Sequence, residues 1–299
     1  MTRLAELHGI YPMLYVFYGA DGEPDRAAMR RQVERLAGCG VHGVAFGGLA
    51  SECNKLSTAE KRRLLDWVAE DLRGRLPLSV TISENTAAGQ VEMARAAAGV
   101  GAGWIVLQPP PVRGAPEPEL LRFYGRVADQ VVLPVGIQNA PEYIGIGVSN
   151  RGFRELNRLH PNIAILKAEG PAATYIAPLV EETGGAFRLF NGRNGIDLTD
   201  SLRAGCHGII PGVETADAQA RIYELMRQGN DAQADAEFAG LLPLLSFLMQ
   251  TIDHLLCYGK RLAARRLGLG PVHDRTPAQV PAPFALQVMQ HWSAALPPL

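Results

Sequence analysis

Short apolar segments of strand length alternate along the chain with longer segments of helical period, the pattern of βα units on a parallel sheet. Eight segments predict strands, near Tyr11–Phe17, Val41–Phe46, Leu78–Thr81, Trp104–Leu107, Val132–Ile137, Ile163–Leu166, Phe187–Phe190 and Gly208–Ile210. Each is rich in Val, Ile, Leu or aromatic residues, as strands buried on both faces are. The segments between them carry helix signals. Asp25 precedes Arg26–Leu36, Ser57 precedes an Ala59–Leu72 stretch with Glu60 three residues on as a capping box, and Thr199–Leu202 leads to Gly205. No Pro/Gly-rich linker divides the series, so one domain is expected. Eight units close a (β/α)8 TIM barrel within about 250 residues. Residues 1–230 are therefore assigned to the barrel and 231–299 to a C-terminal helical extension packed on it. Ala232–Leu245 and Phe247–Leu267 predict helices there, followed by a Pro-rich end. A doubly wound sheet would want a glycine fingerprint after the first strand, and Gly19-Ala20-Asp21-Gly22 followed by Glu23-Pro24 is not one.

Composition narrows the partners more than the fold. The chain has 299 residues, 47% hydrophobic and 20% charged, with a formal charge of -1 spread along its length. That leaves no basic stripe for nucleic acid and no polybasic patch for a membrane surface, so a small neutral or anionic metabolite is the expected partner. Cys39, Cys53, Cys206 and Cys257 lie far apart without a CxxC pair, which argues against a disulfide framework or a zinc site. His42, His160, His207, His254, His273 and His291 have no metal-ligand spacing either, so no metal is expected. Residues Met1 to Gly9 carry Arg3, Glu6 and His8, and no charge-free apolar run reaches the roughly 20 residues of a membrane span. A soluble, cytoplasmic, unprocessed protein is the expectation.

In a barrel of this kind the reactive groups stand at the C-terminal ends of strands. Three places draw attention: Gly47-Gly48-Leu49-Ala50-Ser51-Glu52 after the second strand, Gln138-Asn139-Ala140-Pro141 after the fifth, and Lys167-Ala168-Glu169-Gly170 after the sixth. An amine that ends an apolar strand meets a low-dielectric interior, which favours the uncharged nucleophilic form. The strand period of two puts Glu169 on the same face as Lys167 if the strand continues that far. On the residues alone, a nucleophile with its base and an inert strand-end ion pair fit equally well. Lys260 and Arg261, on a helix with Arg265 and Arg266, are expected to form a solvated basic face.

From Gly9 to about Pro277 the chain resembles the Schiff-base lyases that include dihydrodipicolinate synthase and N-acetylneuraminate lyase. The resemblance rests on Gly48-Leu49-Ala50-Ser51-Glu52 in place of Gly-Thr-Thr/Ser-Gly-Glu, on Asn139-Ala140-Pro141 in place of Asn-x-Pro, and on Lys167 after an apolar strand. Leu202-Arg203-Ala204-Gly205 and Gly208-Ile209-Ile210 match the family's seventh helix and eighth strand. It implies a Schiff base between Lys167 and a small 2-keto acid, no separate cofactor, and a homo-oligomer, tetramer or dimer. Pro109-Pro110-Pro111 replaces the family's aromatic pair at its tight-dimer contact. Other departures narrow the activity. The relay tyrosine is replaced by Gln138, which cannot carry a proton near neutral pH, the relay threonine by Leu49, and the arginine after Asn-x-Pro by Tyr143. Lysine biosynthesis is thereby disfavoured. These features, with Lys167-Ala168-Glu169, look like the 2-keto-3-deoxy sugar acid dehydratases, the subgroup that includes L-2-keto-3-deoxyarabonate dehydratase.

The resemblance assigns Lys167 as nucleophile and Glu169 as the base that takes a C3 proton and then protonates the departing C4 hydroxyl. The amides of Leu49 and Ala50 are expected at the substrate carboxylate. Ser51 is expected at the carboxylate or the C4 hydroxyl, Gln138 and Asn139 at a hydroxyl, and Arg193 at a distal group; Glu52 is read as fixing its loop. For Ser51, Gln138, Asn139 and Arg193, backbone-holding or solvated roles compete with these. Two other activities remain open: an aldolase giving pyruvate and an aldehyde, and a catalytically silent relative that only binds a keto acid.

Overall fold

Parallel strands need a return segment between each pair, and helices supply it here. The computed structural model describes residues 4–299, so Met1, Arg3 and the start of the 1–230 barrel assignment lie outside the described residues. The strands are β1 (Gly9–Ile10), β2 (Val44–Phe46), β3 (Leu78–Ile82), β4 (Trp104–Leu107), β5 (Val135–Asn139), β6 (Ile163–Ala168), β7 (Arg188–Asn191) and β8 (Gly208–Ile209). They pair in parallel in the order β1-β8-β7-β6-β5-β4-β3-β2. Just past β1, Met13 bridges to both Ala45 and Gly212. Leu14 N donates to Ala45 O (2.8 Å) and Ala45 N to Pro12 O (2.9 Å). These contacts join the two ends of the series into a nearly closed eight-stranded barrel.

The helices over the strands are α1 (Arg26–Leu36), α2 (Thr58–Leu72), α3 (Ala87–Gly99), α4 (Glu117–Ala128), α5 (Pro141–Ile144), α6 (Asn150–Leu159), α7 (Ala177–Thr183), α8 (Leu198–Arg203) and α9 (Ala216–Arg227). Their starts follow from capping chemistry. Asp25 accepts from the amides of Ala27 and Ala28, and Ser57 and Glu60 form both halves of the expected capping box. Inside the barrel, Tyr11, Trp104 and Phe190 pack ring against ring at centroid distances of 5.1–5.7 Å. Residues from β4, β7 and the end of β1 meet this way only across a closed interior.

Several boundaries differ from the expectation, each for a local reason. The apolar run Tyr11–Phe17 is buried throughout, yet the regular ladder is at Gly9–Ile10. Pro12 interrupts it, because proline has no N–H to donate. Val132, expected to open the fifth strand, is 78% exposed, and β5 runs instead from Val135 to Asn139 beyond Pro134. The second strand starts at Val44 rather than Val41. In the tail, the expected Phe247–Leu267 helix is broken. Helix α10 (Asp231–Leu248) ends, Thr251 caps the single turn α11 (Ile252–His254), and a π-helical turn leads into α12 (Lys260–Leu267). The two arms of this elbow differ in direction by 104°. The Pro-rich end contains α13 (Pro283–Trp292), with proline in the first turn where its missing N–H costs nothing. Among the described residues no single helix is long and apolar enough to cross a membrane.

The basic segment on α12 is not a solvated face. Lys260 is fully buried, bonded to Glu52, and lies 5.2 Å from the centre of the Tyr18 ring. Burial, only partly offset by Glu52, pulls the Lys260 ammonium below its ordinary range. The second oxygen of Glu52 takes Lys55 Nζ at 2.7 Å. Arg266, 3% exposed, clasps Asp217 at 2.7 and 2.8 Å and donates to Glu214 O at 2.8 Å. Helix α12 is thus bolted to the loop after β2 and the start of α9 by buried charge, which periodicity cannot reveal.

Removing Glu52 should strand the Lys260 charge in the interior. Glu52→Ala is expected to lose about 3–5 kcal/mol in a denaturant titration, and Lys260→Met clearly less, because an apolar replacement leaves no uncompensated charge. A second outcome concerns acid. The Arg275 guanidinium, helped by Ser57, lowers the Glu60 carboxyl from 4.5 to about 2. A depressed carboxylate stabilises above its unfolded value and loses that contribution as pH falls through its folded value. Glu60→Gln should therefore flatten the fall in stability between pH 4.5 and about 2 in pH-dependent melts.

Candidate active site

β6 carries Lys167 between Gln138 of β5 and Phe190 of β7 in the strand register. The Glu169 amide donates to Asn139 O at 2.9 Å, so the ladder continues past the end of β6. Lys167 and Glu169 consequently share a face, as the two-residue period requires. They are 5% and 4% exposed, and Lys167 Nζ lies 2.6 Å from Glu169 Oε1. Gln138 Nε2 donates to the same oxygen at 2.7 Å. With both donors on Oε1, Oε2 is left to face Gly192, where a Cβ would lie 2.7 Å from Glu169 Cδ and 3.0 Å from Oε2. Only glycine fits there without displacing the carboxylate.

The pair opens on a narrow cavity of about 30 Å³ at the C-terminal rim of the barrel. Leu49 and Ala50 line it from the loop after β2, Arg193 and Asn194 from the loop after β7, and Ile210 to Gly212 from the end of β8. Met249, Ile252 and Leu255, all from the tail elbow, complete the wall. A larger cleft of about 670 Å³ between α1 and the loop after α12 includes neither Lys167 nor Glu169. Among the described residues no group of three or more His, Cys, Asp or Glu side chains is arranged for a metal.

Six of the expected residues come together here: Lys167, Glu169, Gln138, Leu49, Ala50 and Arg193. Leu49 and Ala50 open a single 3-10 turn, where helix amides lack an internal partner. Arg193 has a left-handed backbone (φ 50°), holds Asp197 at 2.7 Å through one terminal nitrogen, and faces the Tyr143 hydroxyl. Its Nε and the Gln138 Oε1 are buried without a partner inside the protein. Ser51 and Asn139 are used elsewhere. The Ser51 hydroxyl accepts from Gly47 N (3.0 Å) and donates to Leu14 O (2.6 Å), fully buried beneath the loop. Asn139 exchanges two bonds with the Val148 backbone (2.9 and 3.1 Å) and donates to the Tyr175 hydroxyl at 2.5 Å.

Sequence reasoning passed over several neighbours. Burial pushes the Tyr143 and Tyr175 phenols up, and the Glu169 charge adds to it in both. Gly212 follows the end of β8, so the strand-end rule could have found it. Met249, Ile252 and Leu255 carried no signal, because nothing in a helical tail says which turn will reach the barrel mouth.

A family model described as the dihydrodipicolinate synthetase family matches residues 6–279. The chain belongs to that family. Among its relatives, the L-2-keto-3-deoxyarabonate dehydratase of Azospirillum brasilense is 30% identical over 246 residues, covering 80% of this chain and 78% of that protein. A putative 2-dehydro-3-deoxy-D-gluconate aldolase of Escherichia coli is 25% identical over 248 residues, covering 82% of each. The structure of a putative dihydrodipicolinate synthetase from Pseudomonas aeruginosa superposes with a TM-score of 0.88 at 25% identity, covering 96% of this chain and 98% of that one. As a member of the dihydrodipicolinate synthetase family the protein is a lyase.

Gly192→Ala tests the packing around Glu169. Its new methyl should push the carboxylate off Lys167 and lower kcat/KM by about tenfold or more, equivalent to at least ~1.4 kcal/mol of transition-state stabilisation.

Proposed function

We propose that this lyase dehydrates a 2-keto-3-deoxy sugar acid through a Schiff base on Lys167, with Glu169 moving the protons. The observation that carries the reading is a buried lysine and carboxylate 2.6 Å apart, with Gln138 bonded to the carboxylate at the position where the family resemblance implies a relay tyrosine. The relative named as a keto-deoxyarabonate dehydratase supports it.

Lys167 passes a proton to Glu169 across their hydrogen bond, and the free amine adds to the C2 ketone; water leaves to give the iminium. The iminium withdraws electrons from C3, so Glu169, again a carboxylate, can remove a C3 proton and leave an enamine. The enamine then expels the C4 hydroxyl, which departs as water with the proton Glu169 returns. Hydrolysis of the unsaturated iminium and tautomerisation yield a keto-acid semialdehyde and restore the lysine. The amides of Leu49 and Ala50 hold the substrate carboxylate. The partnerless Gln138 Oε1 and Arg193 Nε meet substrate hydroxyls, which would supply what those buried groups lack. The apolar tail wall of Met249, Ile252 and Leu255 excludes bulk water while the reactive iminium exists.

Borohydride reduction in the presence of pyruvate or a panel of 2-keto-3-deoxy pentonates and hexonates, read by peptide mass spectrometry, tests this. A reduced adduct on Lys167, absent in Lys167→Ala, is expected, with semialdehyde rather than pyruvate as product. Glu169→Gln should keep the pyruvate adduct while turnover falls by about 10²–10⁴, the usual contribution of a general acid–base. Pyruvate plus an aldehyde as products would instead establish the aldolase, and no adduct with any keto acid would remove the Schiff base.

A further inference from the structure

Arg193, Asn194 and Gly195 are three consecutive residues with positive φ, at 50°, 53° and 76°. Glycine adopts this region freely and asparagine tolerates it, whereas arginine enters it at some cost. The restraint comes from a buried carboxylate that the reaction does not use. Glu214, fully buried after β8, accepts Asn194 Nδ2 on Oε1 at 2.8 Å and the Tyr15 hydroxyl on Oε2 at 2.8 Å. Asn194 Oδ1 accepts Gly212 N at 2.6 Å, and Asn194 O accepts Gln219 Nε2 at 3.0 Å. Every polar atom of the Asn194 side chain is therefore engaged. Room for the group is made by glycine. A Cβ on Gly212 would lie 2.3 Å from Glu214 Oε2, and one on Gly259 would lie 2.6 Å from the Tyr15 hydroxyl.

Among the described residues no cation is paired with this carboxylate. Arg266 spends its donors on the backbone oxygens of Glu214 and Pro297 and on Asp217, and burial holds the Glu214 carboxyl above its ordinary range. So desolvated a group is a poor choice for stability alone, and its two donors come from the loops after β1 and β7. It joins three strand ends at one point, directly behind the turn that carries Arg193 into the cavity of Lys167 and Glu169.

We infer that Glu214 is a positioning residue: by clamping Asn194 it holds the left-handed Arg193–Gly195 turn so that Arg193 meets the distal hydroxyls of the keto acid. This rests on the proposed function, in which Arg193 contacts the part of the substrate beyond C4. A C3 keto acid lacks that part, and the difference makes the clamp separable from the chemistry.

The test uses Glu214→Leu, which removes both acceptors at similar size, and Glu214→Gln, which keeps an oxygen for Asn194. With pyruvate and borohydride, both variants should label Lys167 to the wild-type extent. With a 2-keto-3-deoxypentonate, Glu214→Leu should raise KM about tenfold, as expected for one hydrogen bond lost at the substrate, while kcat stays within about twofold and Glu214→Gln recovers most of the loss. Should Glu214→Leu fail to fold, Asn194→Gly keeps the left-handed backbone accessible, removes the clamp and should give the same split. An unchanged KM in the folded variant overturns the inference, as does loss of pyruvate labelling in step with turnover, which would put Glu214 at the reacting centre. Absence of a pyruvate adduct in the wild-type protein is a different failure: it removes the Schiff-base reading, and this inference with it.

Discussion

The ion pair of Lys167 and Glu169 is buried at the C-terminal rim of the eight-stranded barrel, and much of the surrounding architecture follows from having to house it. A charge in such a place must be matched and hydrogen-bonded or it will be neutralised. Register supplies the match, because two residues along a strand return to the same face. Gln138 on the neighbouring strand adds a second donor to the carboxylate, and Gly192 on the far side leaves the space into which its other oxygen turns. A pair held at 2.6 Å is also a path for a proton, which is what the proposed Schiff-base chemistry draws on.

Around this centre the loops are held by buried polar groups rather than by their own geometry. Ser51 ties the loop after β2 to the backbone of Leu14, Asn139 ties the loop after β5 to Val148, and Glu214 with Asn194 ties the loops after β7, β8 and β1 together. Each uses hydrogen bonds that water would otherwise take, and each leaves the residue beside it pointing at the cavity. This is how a barrel keeps a stable body while its catalytic rim varies. Ser51 and Asn139 thus act as supports for a site they stand next to.

The C-terminal tail belongs to the same construction. Lys260 and Arg266 anchor α12 to Glu52 and Asp217, and the elbow before it lays Met249, Ile252 and Leu255 over the mouth of the barrel. The anchoring charges and the apolar wall lie within one stretch of helix, so docking the tail and closing the site are a single packing event. Tail and barrel share one continuous core, to which Leu244, Leu248 and Leu262 contribute alongside Leu14 and Val213.

What the sequence determined by itself was everything that depends on local periodicity and on strand-end position. Eight apolar segments separated by helical ones implied the barrel, the Ser57 and Asp25 caps implied where helices begin, and Lys167 two residues before Glu169 implied a shared face. Motif resemblance added the family and the loss of the relay tyrosine at Gln138. The tertiary structure alone decided which polar groups face the cavity and which hold the backbone, because Ser51, Asn139 and Arg193 look alike as loop polar residues until their partners are known. It also decided that Lys260 is buried, that Pro12 breaks the first strand without opening the barrel, and that the tail bends over the mouth. Those outcomes depend on contacts between residues as far apart as Tyr15 and Glu214 or Glu52 and Lys260, and no local pattern encodes a contact across some 200 positions of chain.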